Sequence, residues 1–202
     1  MTNPLFAKLE GIEIVLASGS PRRKAFLEEL QLPFRVQSHP VDESYPPELT
    51  GAAIARYIVE QKIKPFQTEV SEHKIVIAAD TIVWKSPHCL GKPKDEKEAT
   101  AMLQLLSGDT HEVITAVGFW YKGEMSMIHA TSKVFFKKLT DHVIQHYIQS
   151  SQPYDKAGAY GIQEWIGTVG VDRIEGSYTN IVGLPTAALI EHLTLLLTPN
   201  DV

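Results

Sequence analysis

The chain has 202 residues, 44% hydrophobic content and a formal net charge of −5 at pH 7, so it can bury a core but lacks the basic surface that steers proteins to nucleic acid. Its one cysteine excludes an intramolecular disulfide. The sequence carries neither a recognisable signal peptide nor an apolar run of membrane-spanning length, and a soluble, cytoplasmic protein without membrane contact is expected.

The first predicted elements are a buried strand, a small-residue turn and a helix. The strand covers Glu13–Ala17, the turn covers Ser18–Ser20, and Ser20 is the predicted N-cap. The first N–H groups of a helix are unpaired and carry partial positive charge. Arg22 and Arg23 add two full cations there, which favours a phosphate-binding site. The alternative is an ordinary capped helix whose arginines face water.

A strand, an acidic loop and a helix follow. The strand is predicted at Phe34–Gln37, and the loop His39–Pro47 carries Glu43. Thr50 is the predicted cap of a helix that runs to about Lys64.

A carboxylate follows the most apolar predicted strand. The run Lys74–Ala79 predicts a strand covered on both faces; it ends at Asp80, with Ile82–Trp84 as a continuation. Ligands of α/β proteins gather at the carboxyl ends of such strands, where a carboxylate can bind Mg²⁺ or orient water. With Glu43, Asp80 would supply the acidic set of a Mg²⁺–triphosphate site. The alternative is that both are turn or loop acids in water.

The C-terminal half continues the alternation of helices and strands. In chain order, we expect a helix from Asp95 to Ser107, strands His111–Tyr121 and Thr131–Leu139, a helix beginning at Thr140 or Asp141, an irregular segment Ser151–Tyr178, and a final helix after Pro185. The pattern predicts an α/β fold with a mixed sheet.

Three further candidate site residues are polar side chains in turns and at a helix end. Lys92 follows a glycine and precedes a proline, so it could hold a phosphate oxygen, and Gln163 could bind a base edge through its amide. Lys62 lies near a helix end. Taken singly, each has an ordinary structural explanation as a turn or helix-end residue.

Six stretches together resemble the Maf family of nucleoside triphosphate pyrophosphatases. They are LASGSPRRKAFLEEL (16–30), VDES (41–44), AADTIV (78–83), LGKPKDEKEATAMLQLLSGDTHEVITAV (90–117), YDKAGAYGIQ (154–163) and IEGSYTNIVGLP (174–185). The resemblance implies a Maf/Ham1-like (inosine triphosphatase-like) mixed sheet flanked by helices. It also implies one domain over residues 1–202, with two lobes around a central cleft.

The resemblance further implies an activity. Family members cleave between the α- and β-phosphates with a divalent cation, Mg²⁺ or Mn²⁺, giving a nucleoside monophosphate and pyrophosphate. The segment DKAGAYGIQ (155–163) is similar to the branch that acts on dTTP and UTP, a house-cleaning role in the nucleotide pool. Glu164-Trp165 departs from the family, where many relatives have glycine after the glutamine.

The family's functional residues can be matched position by position. Asp80 matches the proton acceptor, and Arg22, Thr81 and Gln163 match positions linked to substrate specificity. Other matched polar positions of the cleft are Ser18, Arg23, Glu43, Lys62, Lys92 and Lys156. Of these, Glu43 is expected to bind the metal together with Asp80.

Two other classes of function compete with the enzyme. One is a nucleotide-binding regulator of septum formation without significant turnover, suggested by the family's older name; a pure binder would not need the general base Asp80. The other is an RNA-binding module, which the net charge disfavours. A homodimer is compatible with the resemblance.

Overall fold

A computed structural model describes residues 6–68 and 70–198 of the chain. The described strands are β1 (Glu13–Leu16), β2 (Phe34–Val36), β3 (Lys74–Lys85), β4 (His88–Leu90), β5 (Thr110–Tyr121), β6 (Glu124–Phe136) and β7 (Val171–Glu175). The described α-helices are α1 (Pro21–Glu29), α2 (Ala52–Ile63), α3 (Glu96–Leu106), α4 (Asp141–Ser151), α5 (Trp165–Gly170), α6 (Tyr178–Val182) and α7 (Thr186–Leu196). Short 3₁₀ helices lie at Phe6–Leu9, Lys64–Phe66 and Ala157–Ala159.

The strands form one mixed sheet in the order β2-β1-β3-β5-β6-β7, with β4 paired to β3. Strand β1 is parallel to β2 and β3, whereas β3, β5, β6 and β7 pair antiparallel. The predicted α/β class, with a mixed sheet and flanking helices, is confirmed. No helix in the described ranges is long and apolar enough to cross a membrane.

Successive residues of the central strands pack against opposite faces of the sheet. Ile75 and Ile77 lie in one apolar cluster with α1 and α7, and Val76 and Ala78 lie in another with α2. Side chains alternate across a strand with a period of two, so a strand covered on both faces needs a continuous apolar run. The prediction made for 74–79 is therefore confirmed.

Helix α2 lies close against β5. A Cβ placed on Gly118 would come within 2.6 Å of a Val59 methyl group and 2.8 Å of one on Ile63. The missing side chain lets the helix approach the sheet, which brings the C-terminal turn of α2, with Lys62, toward the middle of β3.

The structure differs from the predicted elements at three points in the first 90 residues. Strand β3 runs through Asp80 to Lys85 without ending there, so the expected continuation over Ile82–Trp84 is confirmed and the end at Asp80 is wrong; β5 pairs with β3 from Val76 to Trp84. The N-cap of α2 is Gly51, with φ of +51° and no side-chain cap bond, rather than Thr50. Strand β4, which pairs with the end of β3, was not predicted.

Further along the chain, strands are longer than predicted. Strand β6 begins at Glu124 rather than Thr131, because Lys122 and Gly123, both with positive φ, join it to β5 by a tight two-residue turn. The segment Ser151–Tyr178, predicted to be irregular, contains α5 and β7. The cap of α4 is Thr140, whose side chain accepts from the Val143 N–H.

A third apolar cluster encloses a buried histidine. His111 is 2% exposed, and its Nε2 lies 2.7 Å from the Tyr160 hydroxyl. Burial, helped by the positive charge of Lys85 and opposed by Asp109, lowers the pKa of His111 to about 4. The imidazole is therefore neutral in the folded protein at neutral pH.

We expect the free energy of unfolding to fall as the pH is lowered from 6.5 to 5. His111 takes up a proton at about pH 6.5 in the unfolded chain but only near pH 4 when folded, so acid favours the unfolded state. A difference of one bound proton corresponds to about 1.4 kcal/mol per pH unit, and because His111 of the unfolded chain is only half-protonated at pH 6.5, the window amounts to about 1.5 kcal/mol. Urea unfolding at several pH values measures the slope.

The variant His111→Gln is the control for this prediction. It keeps a polar partner for Tyr160 but removes the titrating ring, so its stability should change less over the same window. His192, whose pKa is also lowered by burial, is present in both proteins and cancels. Equal pH slopes would show that His111 does not carry the effect.

Candidate functional site

A cleft of about 840 Å³ opens beside the carboxyl end of β1. Its walls are residues 17–23, 80–83, 89–92, 155–157, 160–164 and 181–183, together with loop residues between 38 and 45 and two residues of α2. The structure brings all ten predicted site residues to this cleft: Ser18, Arg22, Arg23, Glu43, Lys62, Asp80, Thr81, Lys92, Lys156 and Gln163. Their individual roles stay predictions.

Arg23 connects three segments at the base of the cleft. It is 9% exposed; its Nε donates to the Gly183 carbonyl at 2.9 Å, and its Nη1 donates to Ser18 Oγ at 3.1 Å. Its Nη2 donates to Thr81 Oγ1 at 3.1 Å. Burial lowers the pKa of Arg23, an effect that the nearby Asp80 opposes, but arginine stays charged in proteins. A fixed cation thus lies at the start of α1.

Arg22 has a different environment from its neighbour. Its side chain is 40% exposed, and its Nη1 lies 3.9 Å from Asp155 across the cleft. An exposed pair at this distance contributes little to stability. Arg22 can therefore exchange Asp155 for another anion at small cost.

Lys62 lies between two carboxylates. Its Nζ is 2.6 Å from Asp80 Oδ1 and 2.8 Å from Glu43 Oε1. The side chains of Lys62 and Asp80 are 14% and 13% exposed. Burial raises the pKa of Glu43, but the hydrogen bond and charge of Lys62, with the charges of Lys92 and Arg23, outweigh burial and hold that pKa below its usual value. Both acids already share one cation.

The same two acids fit a divalent cation held jointly with a nucleotide. The ammonium group of Lys62 shows that a positive charge is stable between Asp80 and Glu43. Within residues 6–68 and 70–198 there is no group of three or more His, Cys, Asp or Glu side chains that could hold a metal. Mg²⁺ is usually bound by one or two carboxylates with substrate phosphates and water, so the two acids are a candidate donor set.

Lys156 is held by two acids on the opposite wall. Its Nζ lies 2.6 Å from Asp155 Oδ1 and 2.9 Å from Glu164 Oε1. The other oxygen of Glu164 accepts a hydrogen bond from Tyr147, whose hydroxyl accepts from the Gly161 N–H at 3.0 Å. Burial lowers the pKa of Lys156, but its hydrogen bonds to the two acids raise that pKa by a larger amount, so the net shift is upward. The lysine is a stable cation facing the cleft.

Three of these partners were not among the predicted residues. Asp155 and Glu164 hold Lys156, and Tyr147 holds Glu164. Glu164 was visible only as a departure from the family pattern. Tyr147 belongs to the buried face of α4, and nothing in that spacing indicates a polar contact.

Cys89 also lines the cleft. Burial raises the pKa of its thiol, although a hydrogen bond with Tyr45 acts in the opposite direction. A thiol with a raised pKa is a poor nucleophile. Cys89 is therefore not a candidate nucleophile.

Comparison with known proteins finds a family model and curated relatives that match most of the chain. A family model described as "Maf-like protein" matches residues 13–196. A protein of Flavobacterium johnsoniae named dTTP/UTP pyrophosphatase is 48% identical over 189 residues, 94% of this chain and 97% of that protein. One of the same name from Flavobacterium psychrophilum is 45% identical over 186 residues, 92% and 95% of the two chains. The solved Ham1 protein of Staphylococcus aureus aligns at 16% identity with a TM-score of 0.41, covering 61% of this chain and 71% of that one.

Proposed function

This chain belongs to the Maf family, and we propose that it hydrolyses dTTP and UTP to the nucleoside monophosphate and pyrophosphate. The observation that carries the proposal is the meeting of five cationic side chains and a pair of acids in one cleft. The curated relatives, which match almost the whole chain, are named for that activity. The role is removal of unwanted nucleotides from the pool.

The cations of the cleft account for binding of the triphosphate. They come from both walls and comprise Arg22, Arg23, Lys62, Lys92 and Lys156. A nucleoside triphosphate repels an approaching nucleophile through its several negative charges, and positioned cations reduce this repulsion and stabilise the leaving pyrophosphate. Arg22 would exchange Asp155 for a phosphate oxygen as the substrate enters. Gln163, on the opposite wall, would contact the base.

Asp80 would act as the general base. It lies in the cleft with its carboxylate bonded to Lys62, which fixes its orientation. The carboxylate takes a proton from water as the water oxygen bonds to the α-phosphorus, and the bond from that phosphorus to the bridging oxygen breaks. Pyrophosphate leaves with the bridging oxygen, and the nucleoside monophosphate keeps the new one.

We also propose that Asp80 and Glu43 hold Mg²⁺ or Mn²⁺ together with the substrate. When bound, such an ion neutralises phosphate charge and orients the phosphates. Lys62 would stabilise both acids before the ion arrives. The cytoplasm is the compartment in which this substrate occurs, and we expect the protein to act there.

The deciding experiment is a panel of nucleoside triphosphates assayed for pyrophosphate release with Mg²⁺ or Mn²⁺. We expect turnover of dTTP and UTP above that of ATP, GTP, inosine triphosphate and 7-methyl-GTP. Preference for either of the last two would contradict the substrate assignment. Binding of UTP without pyrophosphate release would instead favour a nucleotide-binding regulator, the alternative that the named relatives do not support.

A further inference from the structure

We infer that Thr115, a buried residue of β5 outside the cleft, positions Arg23 for the triphosphate through the hydroxyl of Thr81. The inference rests on the proposed function and assigns to it a residue that no family match suggested. Thr115 is 0% exposed, so it cannot contact a substrate. Its influence must pass through its hydrogen-bond partners.

A chain of three hydrogen bonds leads from Arg23 into the sheet. The Arg23 Nη2 donates to Thr81 Oγ1 at 3.1 Å, and Thr81 Oγ1 lies 2.9 Å from Thr115 Oγ1. Thr115 Oγ1 in turn donates to the backbone carbonyl of Asn180 at 2.9 Å. These three hydrogen bonds therefore join α1, β3, β5 and α6.

The direction of every bond in this chain is determined by chemistry. A carbonyl oxygen can only accept, so the single hydroxyl hydrogen of Thr115 is used on Asn180. Thr115 can then only accept from Thr81, so the Thr81 hydroxyl donates its hydrogen to Thr115. The guanidinium can only donate, so Thr81 accepts from Arg23. The hydroxyl of Thr81 consequently has no hydrogen left for a substrate.

The far end of this hydrogen-bond chain, at Asn180, is rigidly held. Asn180 is 0% exposed; its Nδ2 donates to the Val113 carbonyl and to Ser132 Oγ, both at 2.9 Å. These bonds fix α6 against β5 and β6. The position of the Asn180 carbonyl, and hence of both threonine hydroxyls, is set by the sheet rather than by the cleft.

The arrangement matters because Arg23 is a nearly buried cation held by neutral groups. Its guanidinium donates to the Gly183 carbonyl and to the hydroxyls of Ser18 and Thr81. Neutral oxygens orient the guanidinium without cancelling its charge, so the charge remains available to an anion in the cleft. A hydrogen-bond chain that ends on a fixed carbonyl keeps the cation in one orientation. Thr81 then influences substrate binding through Arg23, and it has no hydroxyl hydrogen of its own to donate to a substrate.

The test is a pair of variants at one position. Thr115→Val has nearly the same shape but no hydroxyl, and Thr115→Ser keeps the hydroxyl. We expect Thr115→Val to raise the KM for UTP about tenfold and to weaken competitive inhibition by inorganic triphosphate to a similar extent, with kcat changed less than about threefold. Thr115→Ser should restore values near wild type. Thr131→Val, an exposed threonine on the neighbouring strand, is the matched control.

A double-mutant cycle separates positioning from a general loss of structure. In a Thr81→Val background the link to Arg23 is already broken, so adding Thr115→Val should change KM no further. A variant that merely lowers the folded fraction would reduce kcat at constant KM. If Thr115→Val itself fails to fold, Thr81→Val against Thr81→Ser gives the same comparison one bond closer to Arg23.

The outcomes for this inference and for the proposed function are distinct. Wild-type affinity of Thr115→Val for inorganic triphosphate, absence of rescue by Thr115→Ser, or additivity in the Thr81→Val background would each overturn the inference. Absence of pyrophosphate release by the wild-type protein would overturn the proposed function instead. In that case calorimetric binding of inorganic triphosphate to wild type and Thr115→Val would still decide the role of Thr115.

Discussion

Replacing Asp80 by asparagine is expected to lower kcat for UTP about 1,000-fold or more, because the amide cannot accept the proton of the attacking water. The amide is also a weaker ligand than a carboxylate for a divalent cation. The fold should survive, since the amide oxygen of the variant can still accept from Lys62, whose Nζ lies 2.6 Å from the native Oδ1. Pyrophosphate release and thermal melting, measured on one preparation, test both statements.

Asp172→Asn is the matched control for this experiment. Asp172 is an exposed residue of β7 and does not line the cleft, so its amide variant should keep wild-type turnover. A kcat of Asp80→Asn within tenfold of the wild-type value, at an unchanged melting temperature, would remove Asp80 from the role of base.

The second large effect is expected for Lys62→Met. Methionine keeps the apolar length of the lysine stem but leaves Asp80 and Glu43 facing each other without the ammonium group between them. Breaking a partly buried ion pair in this way should reduce the free energy of unfolding by about 2 kcal/mol. We expect kcat/KM for UTP to fall about 100-fold, because a cation beside the phosphates is lost and the base is no longer held in place.

Lys64→Met is the control for the charge change alone. Lys64 is exposed, two residues further along the chain, and its variant should behave as wild type in both assays. The free energy of unfolding of Lys62→Met, measured in denaturant at several Mg²⁺ concentrations, gives a further check on the role of Lys62 between the two acids. If the variant loses neither stability nor activity, Lys62 does not organise the two acids.

The phosphate-binding turn could be predicted because all its determinants are adjacent in sequence. A strand, small residues, the N-cap Ser20 and two arginines follow one another, and the structure shows Ser20 accepting from the Arg23 N–H. Local chemistry is enough to specify such a turn. Which of the two arginines is buried could not be predicted, because it depends on a contact with Gly183, 160 residues away.

The surroundings of Asp80 could be predicted only in part. The carboxylate was placed at the end of a strand, whereas β3 continues through it because β5 provides a pairing partner. Asp favours turns over strands, so the local preference at Asp80 points to the wrong answer here. The prediction still found the cleft, because β1 pairs with β3 only as far as Ile77, and the sheet edge opens beside Asp80.

The opposite wall was less predictable for a physical reason. Lys156 and Glu164 lie in a glycine-rich segment without periodicity, and their contact depends on how the segment folds back on itself. Tyr147 reaches them from another helix. Contacts of this kind follow from tertiary packing rather than from the local pattern.

Asp80 and Thr81 are neighbours in one strand, so their side chains emerge on opposite faces of the sheet. Asp80 meets Lys62 of α2 on one face, and Thr81 meets Arg23 of α1 on the other. Under the proposed function a nucleotide would lie across the open edge of β3, with the general base on the side of α2 and the buried cation Arg23 on the side of α1. Substitutions in the α1 layer would then change phosphate binding without altering the residues proposed for the chemical step in the α2 layer.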